Sequence, residues 1–359
     1  MKLSSLSWVH GVSLGTSVLV LGLGTAGGLV GAVSWQLIGL GAGILFLAQG
    51  ILVTLGIRAA DRDEARRRET AVQAYTRFVP VQFLRHLGRE SITDAQLGDQ
   101  VGRIMTVLFS DIRNFTTLSE KLSPEDNFRF LNGYLGQVGP IIRENYGFID
   151  KYIGDAVMAL FDGPVDEALS AAMTIQLRTA EYNRQVTDQR FGPIQVGIGL
   201  HSGPLMLGIV GEKDRMESTV IADTVNLASR IESLTKHYDC RILVSRSTFE
   251  DQQDPGPYMT RPVDLVRVKG RTRSTELLEI VDERFDARAP LKIDLSARLA
   301  EAMMVYRRGD FLEARGLFQA LAYRDPDDNL YAIYRQRIEE RIRLGTPSGW
   351  DGTTVFDVK

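Results

Sequence analysis

Between Lys2 and Arg58 the chain carries no Asp, Glu, Lys or Arg, a run that a surface facing water does not sustain. The stretch divides into residues 8–33 and 35–57. At about 1.5 Å per residue, each half is long enough to cross a hydrocarbon core of about 30 Å. Only a few residues around Ser34 join them, so a tight antiparallel hairpin is expected. Gly11/Gly15, Gly24/Gly28, Gly27/Gly31 and Gly39/Gly43 have the small-xxx-small spacing that lets helices approach closely in lipid. Trp8 and Trp35 are candidate interface anchors, and Arg58, Arg62, Arg66, Arg67 and Arg68 follow the second segment. A cleaved signal peptide is the competing reading of the first segment, whose apolar run is longer than a typical signal core. The expectation is a multi-pass protein of the cell (inner) membrane. Residues 8–57 would meet lipid, and both termini and the main body would be cytoplasmic.

The remainder of the 359 residues is ordinary charged globular sequence with a net charge of -3 overall, which gives no push toward nucleic acid. The single Cys240 excludes an intramolecular disulfide and suits a reducing compartment. Residues 58–97 read as a helical linker. Charges of both signs are interleaved with Ala71, Val72, Tyr75, Phe78 and Val79 until Pro80 stops the run. It is a solvated spacer or a short parallel coiled coil. Over residues 98–283 strands and helices alternate. Strands are expected at 103–110, 148–161 (a hairpin turning near Gly154), 194–200, 205–210, 241–244, 264–268 and 276–281. Helices are expected at 124–145, capped by Ser123, at 166–186, and at 223–238, capped by Asp223. A strand-helix-strand-strand-helix-strand order predicts an α+β fold with a ferredoxin-like antiparallel sheet. No G-x-x-x-x-G-K-[ST] and no strand-linked G-x-G-x-x-G occurs, so phosphates would be held by other means. Residues 284–359 read as a helical extension, in which 300–328 resembles one tetratricopeptide-type helical pair. A lone repeat cannot bury its own apolar face, so it should pack on the body or on a partner protein.

Two carboxylates are out of place in apolar strands. Asp111 ends the Val/Leu/Phe run of "TVLFSDIRNFTTLSE", and Asp155 interrupts "KYIGDAVMALF". An ionised carboxylate in a dry place needs a counter-charge. For either one alone, a turn cap or an Arg partner is the plainer reading. Two on separate strands suggest a shared cation.

The stretches "LFSDIRNFTTLSE", "GFIDKYIGDAVMALF", "VGIGLHSG", "DTVNLASR" and "VKG", in this order and spacing, resemble the catalytic domain of class III adenylate/guanylate cyclases. The resemblance covers residues 98–281, about half of the chain. It implies two head-to-tail domains that build their active sites between them, hence a homodimer. One subunit would bring Asp111, Asp155 and the backbone carbonyl of Ile112 to two Mg²⁺ or Mn²⁺ ions, hard cations that suit oxygen ligands. The other would bring Asn226 to orient the ribose and Arg230 to meet charge building on the α-phosphate. These two lie four apart on one helical face, which in isolation reads as a surface couple. Lys269 matches the family's lysine for the terminal phosphates, and Arg215 is a weaker candidate to assist.

Base choice has a physical argument. Adenine offers an acceptor at N1 and a donor amine at C6, and guanine the reverse. Lys151 stands at the family's purine-reading position as a donor, and Thr219 at the second position can accept. Guanylate-specific members would carry Glu where Lys151 stands, so ATP is the expected substrate, with 3′,5′-cyclic AMP and pyrophosphate as products. The Lys/Thr pairing resembles the subclass that includes bicarbonate-responsive enzymes. Two departures from the family's pattern are Ala222, where Gly is usual, and Ser218, where an aromatic is common. His201 reads as a satisfied structural histidine. A guanylate cyclase and a degenerate domain that binds nucleotide without turnover are the rival readings. Against the second, Asp111, Asp155, Lys151, Asn226, Arg230 and Lys269 are all present.

Overall fold

The computed structural model describes residues 35–75, 79–186, 190–254, 258–268 and 272–356. The chain divides into two units, residues 1–78 and residues 79–359. In the first unit, helix α1 (Trp35–Tyr75) is continuous for 41 residues and crosses the expected junction at residue 57 without a break. Its Gly43–Ala71 portion is, among the described residues, the one helix long and apolar enough to cross a membrane. Ile44, Phe46, Leu47, Ile51 and Leu52 are all exposed, with no apolar core over them among the described residues. The expected first span at 8–33 lies outside the described residues.

The second unit begins with α2 (Val81–His86) and a single 3₁₀ turn (Ile92–Asp94), and continues into β1 (Gln100–Ile112). Next come α3 (Phe115–Ser119), α4 (Pro124–Glu144), β2 (Phe148–Ile153), β3 (Ala156–Phe161), α5 (Val165–Gln185), β4 (Val196–Glu212) and β5 (Arg215–Ile221). Then follow α6 (Asp223–Tyr238), β6 (Ile242–Ser245), α7 (Arg246–Glu250), β7 (Met259–Val268) and β8 (Thr275–Val281). The chain ends in α8 (Ala289–Asp294), α9 (Ser296–Arg308), α10 (Phe311–Arg324), α11 (Asn329–Leu344) and β9 (Thr354–Phe356). Ser123 caps α4 as expected, its hydroxyl accepting from the Asp126 amide with Pro124 in the first turn.

The sheet runs β2-β3-β1-β4-β6-β8-β7-β9, with β5 also on β4. Within it, β1-α4-β2-β3-α5-β4 forms the antiparallel order 2-3-1-4 of a ferredoxin-like core. The sheet as a whole is mixed rather than antiparallel, because β4 pairs parallel with β6 and β7 with β9. The two strands expected at 194–200 and 205–210 are one. Gly203 and Pro204 remain in register with Met105 and Ile104, so β1 holds β4 straight through them. Strand β5, absent from the expected strands, pairs with the far half of β4. Asp223 is the first residue of α6 rather than its cap. The cap is Ala222, with no side-chain hydrogen bond, in an extended backbone (φ -168°) that any residue adopts, so the absent glycine costs nothing there.

Three apolar clusters fill the body. One lies between α4, α5 and the sheet side chains Leu108, Ile112, Val157, Ala159, Val196 and Ile198. A second joins Phe83 of α2 to Met105, Val107 and Phe109 of β1, Met158 of β3, Leu205 to Ile209 of β4 and Val220 of β5. The third unites α6 and β6–β8 with Leu299, Met303, Phe318, Tyr334 and Ile338 of α9–α11. The C-terminal helices therefore share a core with the strands and are also tied by buried charges. Arg261 meets Glu279 (2.6 Å) and Asp328, and Lys292 meets Glu279 and Asp286 (2.7 Å each). Asp264 accepts from Tyr238 (2.5 Å), Tyr334 (2.9 Å) and Arg337 (2.7 Å). The helical extension expected from residue 284 opens with α8, whose Lys292 is buried in that network.

Candidate active site

The β2–β3 turn has two residues, Gly154 and Asp155, between the paired Ile153 and Ala156. Gly154 adopts φ +65°, which a side chain would resist, so the glycine lets the strand reverse and leaves Asp155 at the turn. The backbone amide of Ile112 donates to Asp155 Oδ2 (3.2 Å), which brings the turn to the end of β1 where Asp111 stands. Burial pushes the Asp111 carboxyl up to about 7, and the neighbouring Asp155 adds to the shift. Two half-buried carboxylates side by side at a strand end, with hard oxygen donors only, fit divalent cations of the Mg²⁺ or Mn²⁺ kind. Among the described residues, no group of three or more His, Cys, Asp or Glu side chains is gathered where it could hold a metal ion.

Helix α6 lies on the same face of the sheet, over Gly197 and Gly199 of β4. Asp111 pairs with Gly197, and a side chain at Gly199 would meet the Glu232 backbone nitrogen at 2.2 Å. Glycines at alternate positions of "VGIGL" thus allow the close approach. The helix is fastened at its C-terminal end by Arg113, just past β1, which donates to Thr235 O (2.8 Å), Asp239 Oδ1 (2.7 Å) and Cys240 O. Asn226 is exposed in the first turn of α6, and Arg230 is half-buried one turn on.

The two expected base readers touch. Lys151 Nζ donates to Thr219 Oγ1 (3.2 Å), although β2 and β5 are not neighbours in the sheet. The apolar cluster under β5 explains the contact, since Met158, the partner of Lys151 across the hairpin, and Val220, next to Thr219, share it. Arg215 is not brought to this pair. It is exposed at the β4–β5 hairpin end, four residues and about 13 Å of strand from Thr219. Lys269 lies outside the described residues. His201 is buried with Nδ1 against Ser245 Oγ (2.8 Å).

Three acids near these residues escaped the sequence reading. Glu232, in the α6 turn beside Arg230, is pushed up to about 8, first by burial and then by Asp111. Asp150 and Glu217 each stand 3.6 Å from the Lys151 ammonium. The only signal for Glu232 was its helical offset of two from Arg230. For Asp150 it was the adjacency to Lys151, which in a regular strand would place the two on opposite faces.

Residues 99–279 match the family model described as "Adenylate and Guanylate cyclase catalytic domain". The chain is 43% identical over 215 residues to an adenylate cyclase of Anabaena cylindrica, covering 58% of this chain and 43% of that one. It is 35% identical over 274 residues to the terminal-differentiation specific adenylate cyclase of Dictyostelium discoideum, covering 75% of this chain and 13% of that one. The chain therefore spans less than half the length of either relative. A bacterial light-regulated adenylyl cyclase of known structure shares the fold at a TM-score of 0.55 and 22% identity, over 66% of this chain and 68% of that one. With the match extending from just before β1 to the middle of β8, the chain belongs to the family of adenylate and guanylate cyclase catalytic domains.

Proposed function

We propose that the chain is an adenylate cyclase, converting ATP to 3′,5′-cyclic AMP and pyrophosphate at sites shared between two copies. The observation that carries the choice of ATP is the Lys151–Thr219 contact. An ammonium that would donate to purine N1 stands beside a hydroxyl with a lone pair left for the 6-amine, which supports this reading. Guanine would oppose its N1–H to the ammonium and leave buried polar groups unpaired, a mismatch worth several orders of magnitude in discrimination.

In the reaction the ribose 3′-oxygen bonds to the α-phosphorus as the bond to the α,β-bridging oxygen breaks, and pyrophosphate leaves. Asp111, Asp155 and the Ile112 carbonyl would hold two Mg²⁺ or Mn²⁺ ions. When bound, these supply an acidified 3′-hydroxyl and charge neutralisation on the triphosphate. Asn226 of the second copy orients the ribose, and Arg230 meets charge growing on the α-phosphate. Lys269, with Arg215 as a weaker contributor, faces the terminal phosphates. The 3′-hydroxyl proton passes to water or to the substrate. The apolar part of α1, together with residues 8–33, would form a lipid hairpin with the cyclase domain cytoplasmic. The tetratricopeptide-like helices α9 and α10 act structurally, through the core they share with β6–β8. Their exposed Met304, Leu312 and Tyr323 are the surface on which a protein partner would be sought.

The test is turnover by the full chain with ATP or GTP and Mg²⁺ or Mn²⁺, with products separated by chromatography. Cyclic AMP from ATP is expected, at least 100-fold faster than cyclic GMP from GTP, an order-of-magnitude figure for a mismatched base edge. Equal use of GTP, or no cyclic product with either metal, defeats the proposal.

A further inference from the structure

Strand β2 contains one residue too many. Ile149 pairs with Ala159 and Lys151 with Met158, so Asp150 is the inserted residue of a bulge. In a regular strand Asp150 and Lys151 would point to opposite faces. A bulge sets two residues against one and turns their side chains to the same side. Asp150 Oδ2 accordingly lies 3.6 Å from Lys151 Nζ. The Asp150 side chain has no exposed surface, and neither carboxylate oxygen has a hydrogen-bond partner. An enclosed acid without hydrogen bonds is costly, and nothing in the fold of β2 calls for one.

We propose that Asp150 is a positioning residue for base selection, a buried counter-charge that keeps the Lys151 ammonium aimed at purine N1. The inference rests on the reading of Lys151 as the base reader. The ammonium has three donors and three oxygen neighbours: Thr219 Oγ1 at 3.2 Å, Asp150 Oδ2 at 3.6 Å and Glu217 Oε1 at 3.6 Å. One donor must be released when N1 arrives. Glu217 is 66% exposed and free to turn into water, whereas Asp150 is enclosed and cannot leave. Glu217 is therefore the exchangeable partner and Asp150 the permanent one. The charges agree with this: burial drives the Asp150 carboxyl up, Lys151 pulls it back, and Glu217 raises it. Specificity on this account is set by a third residue that never touches the nucleotide.

The experiment compares ATP with ITP, whose N1–H and 6-oxo group invert the edge that Lys151 reads. The full chain in detergent and its Asp150→Asn variant are assayed for kcat and KM with each nucleotide. Asp150→Asn is expected to raise KM for ATP about tenfold with kcat changed less than about threefold. It should also lower the ATP/ITP ratio of kcat/KM about tenfold, the scale of one misplaced charged hydrogen bond. The ratio is internal to one protein, so a reduced folded fraction does not move it. If turnover is too slow to measure, displacement of a fluorescent ATP analogue by ATP and by ITP yields the same ratio. A ratio within twofold of the parent overturns the inference. Lys151→Met separates the two levels. If it collapses the ratio while Asp150→Asn does not, only the role of Asp150 is lost. If neither variant moves the ratio, the base-reading assignment itself fails.

Discussion

Arg261 and Asp328 have 0% and 1% side-chain exposure, and an ion pair this dry has a defined pH signature. Burial works against the Asp328 charge, but Arg261 beside it holds the carboxyl below the usual carboxylate range. A group whose folded pKa is depressed contributes stability that is complete above the unfolded value of about 3.9. That contribution shrinks as pH falls further and is gone below the folded value. Urea denaturation should therefore show stability falling from pH 5 toward pH 3, less steeply in Asp328→Asn. At pH 7 that variant should lose about 3 kcal/mol, the cost of breaking a buried pair. At this scale the sequence was readable where chemistry is conspicuous. Asp111 and Asp155 stood out because carboxylates do not belong in apolar strands, and Lys151 because a motif located it. Arg261, Asp328 and Asp150 did not, since each becomes unusual only by its burial. Arg215 is the first residue of β5, directly after the two-residue turn that joins it to β4.

Among the elements, α6 depends most on a neighbour. It carries Asn226 and Arg230, yet its position is set by β4, where an added Cβ at Gly199 would stand 2.2 Å from Glu232 N and 2.8 Å from Ala228 O. Both obstacles are backbone, so the helix itself must shift. Gly199→Ala should cost about 1–3 kcal/mol in chemical denaturation, the usual penalty of overpacking, and reduce kcat by displacing Asn226 and Arg230. Gly133→Ala, in α4 with open space around it, is the control and should be neutral or stabilising by up to about 1 kcal/mol. An unchanged kcat in Gly199→Ala would separate α6 from the chemistry. Element types were legible from periodicity, but several boundaries and partners were not. Strand β4 runs through Gly203-Pro204 because β1 pairs with it on both sides, a tertiary effect that overrides local turn propensity. Strands β5 and β9 are recognisable only beside β4 and β7, and α1 ignores the change from apolar to charged residues because both halves are rich in helix formers.

For the whole molecule, the proposal requires two copies. Asp111→Ala and Lys151→Ala should each be inactive alone. Equal mixtures should regain about a quarter of parental activity, since half of randomly paired dimers would hold one intact site of two. No recovery from folded, mixed variants would refute shared sites. The separation between what residue order dictates and what packing adds is physical. Apolar length, strand and helix periodicity and the identity of reactive groups are local properties. The helix over 35–57, the ferredoxin-like β1–β4 core and the acid, lysine and asparagine–arginine motifs were therefore visible in one dimension. Whether a charge is buried, which strand pairs parallel, and whether a C-terminal helix joins the central core depend on residues far apart in the chain. Only folding could reveal that Asp150 shares a side with Lys151, or that Asp264 binds Tyr238 of α6 to Tyr334 and Arg337 of α11.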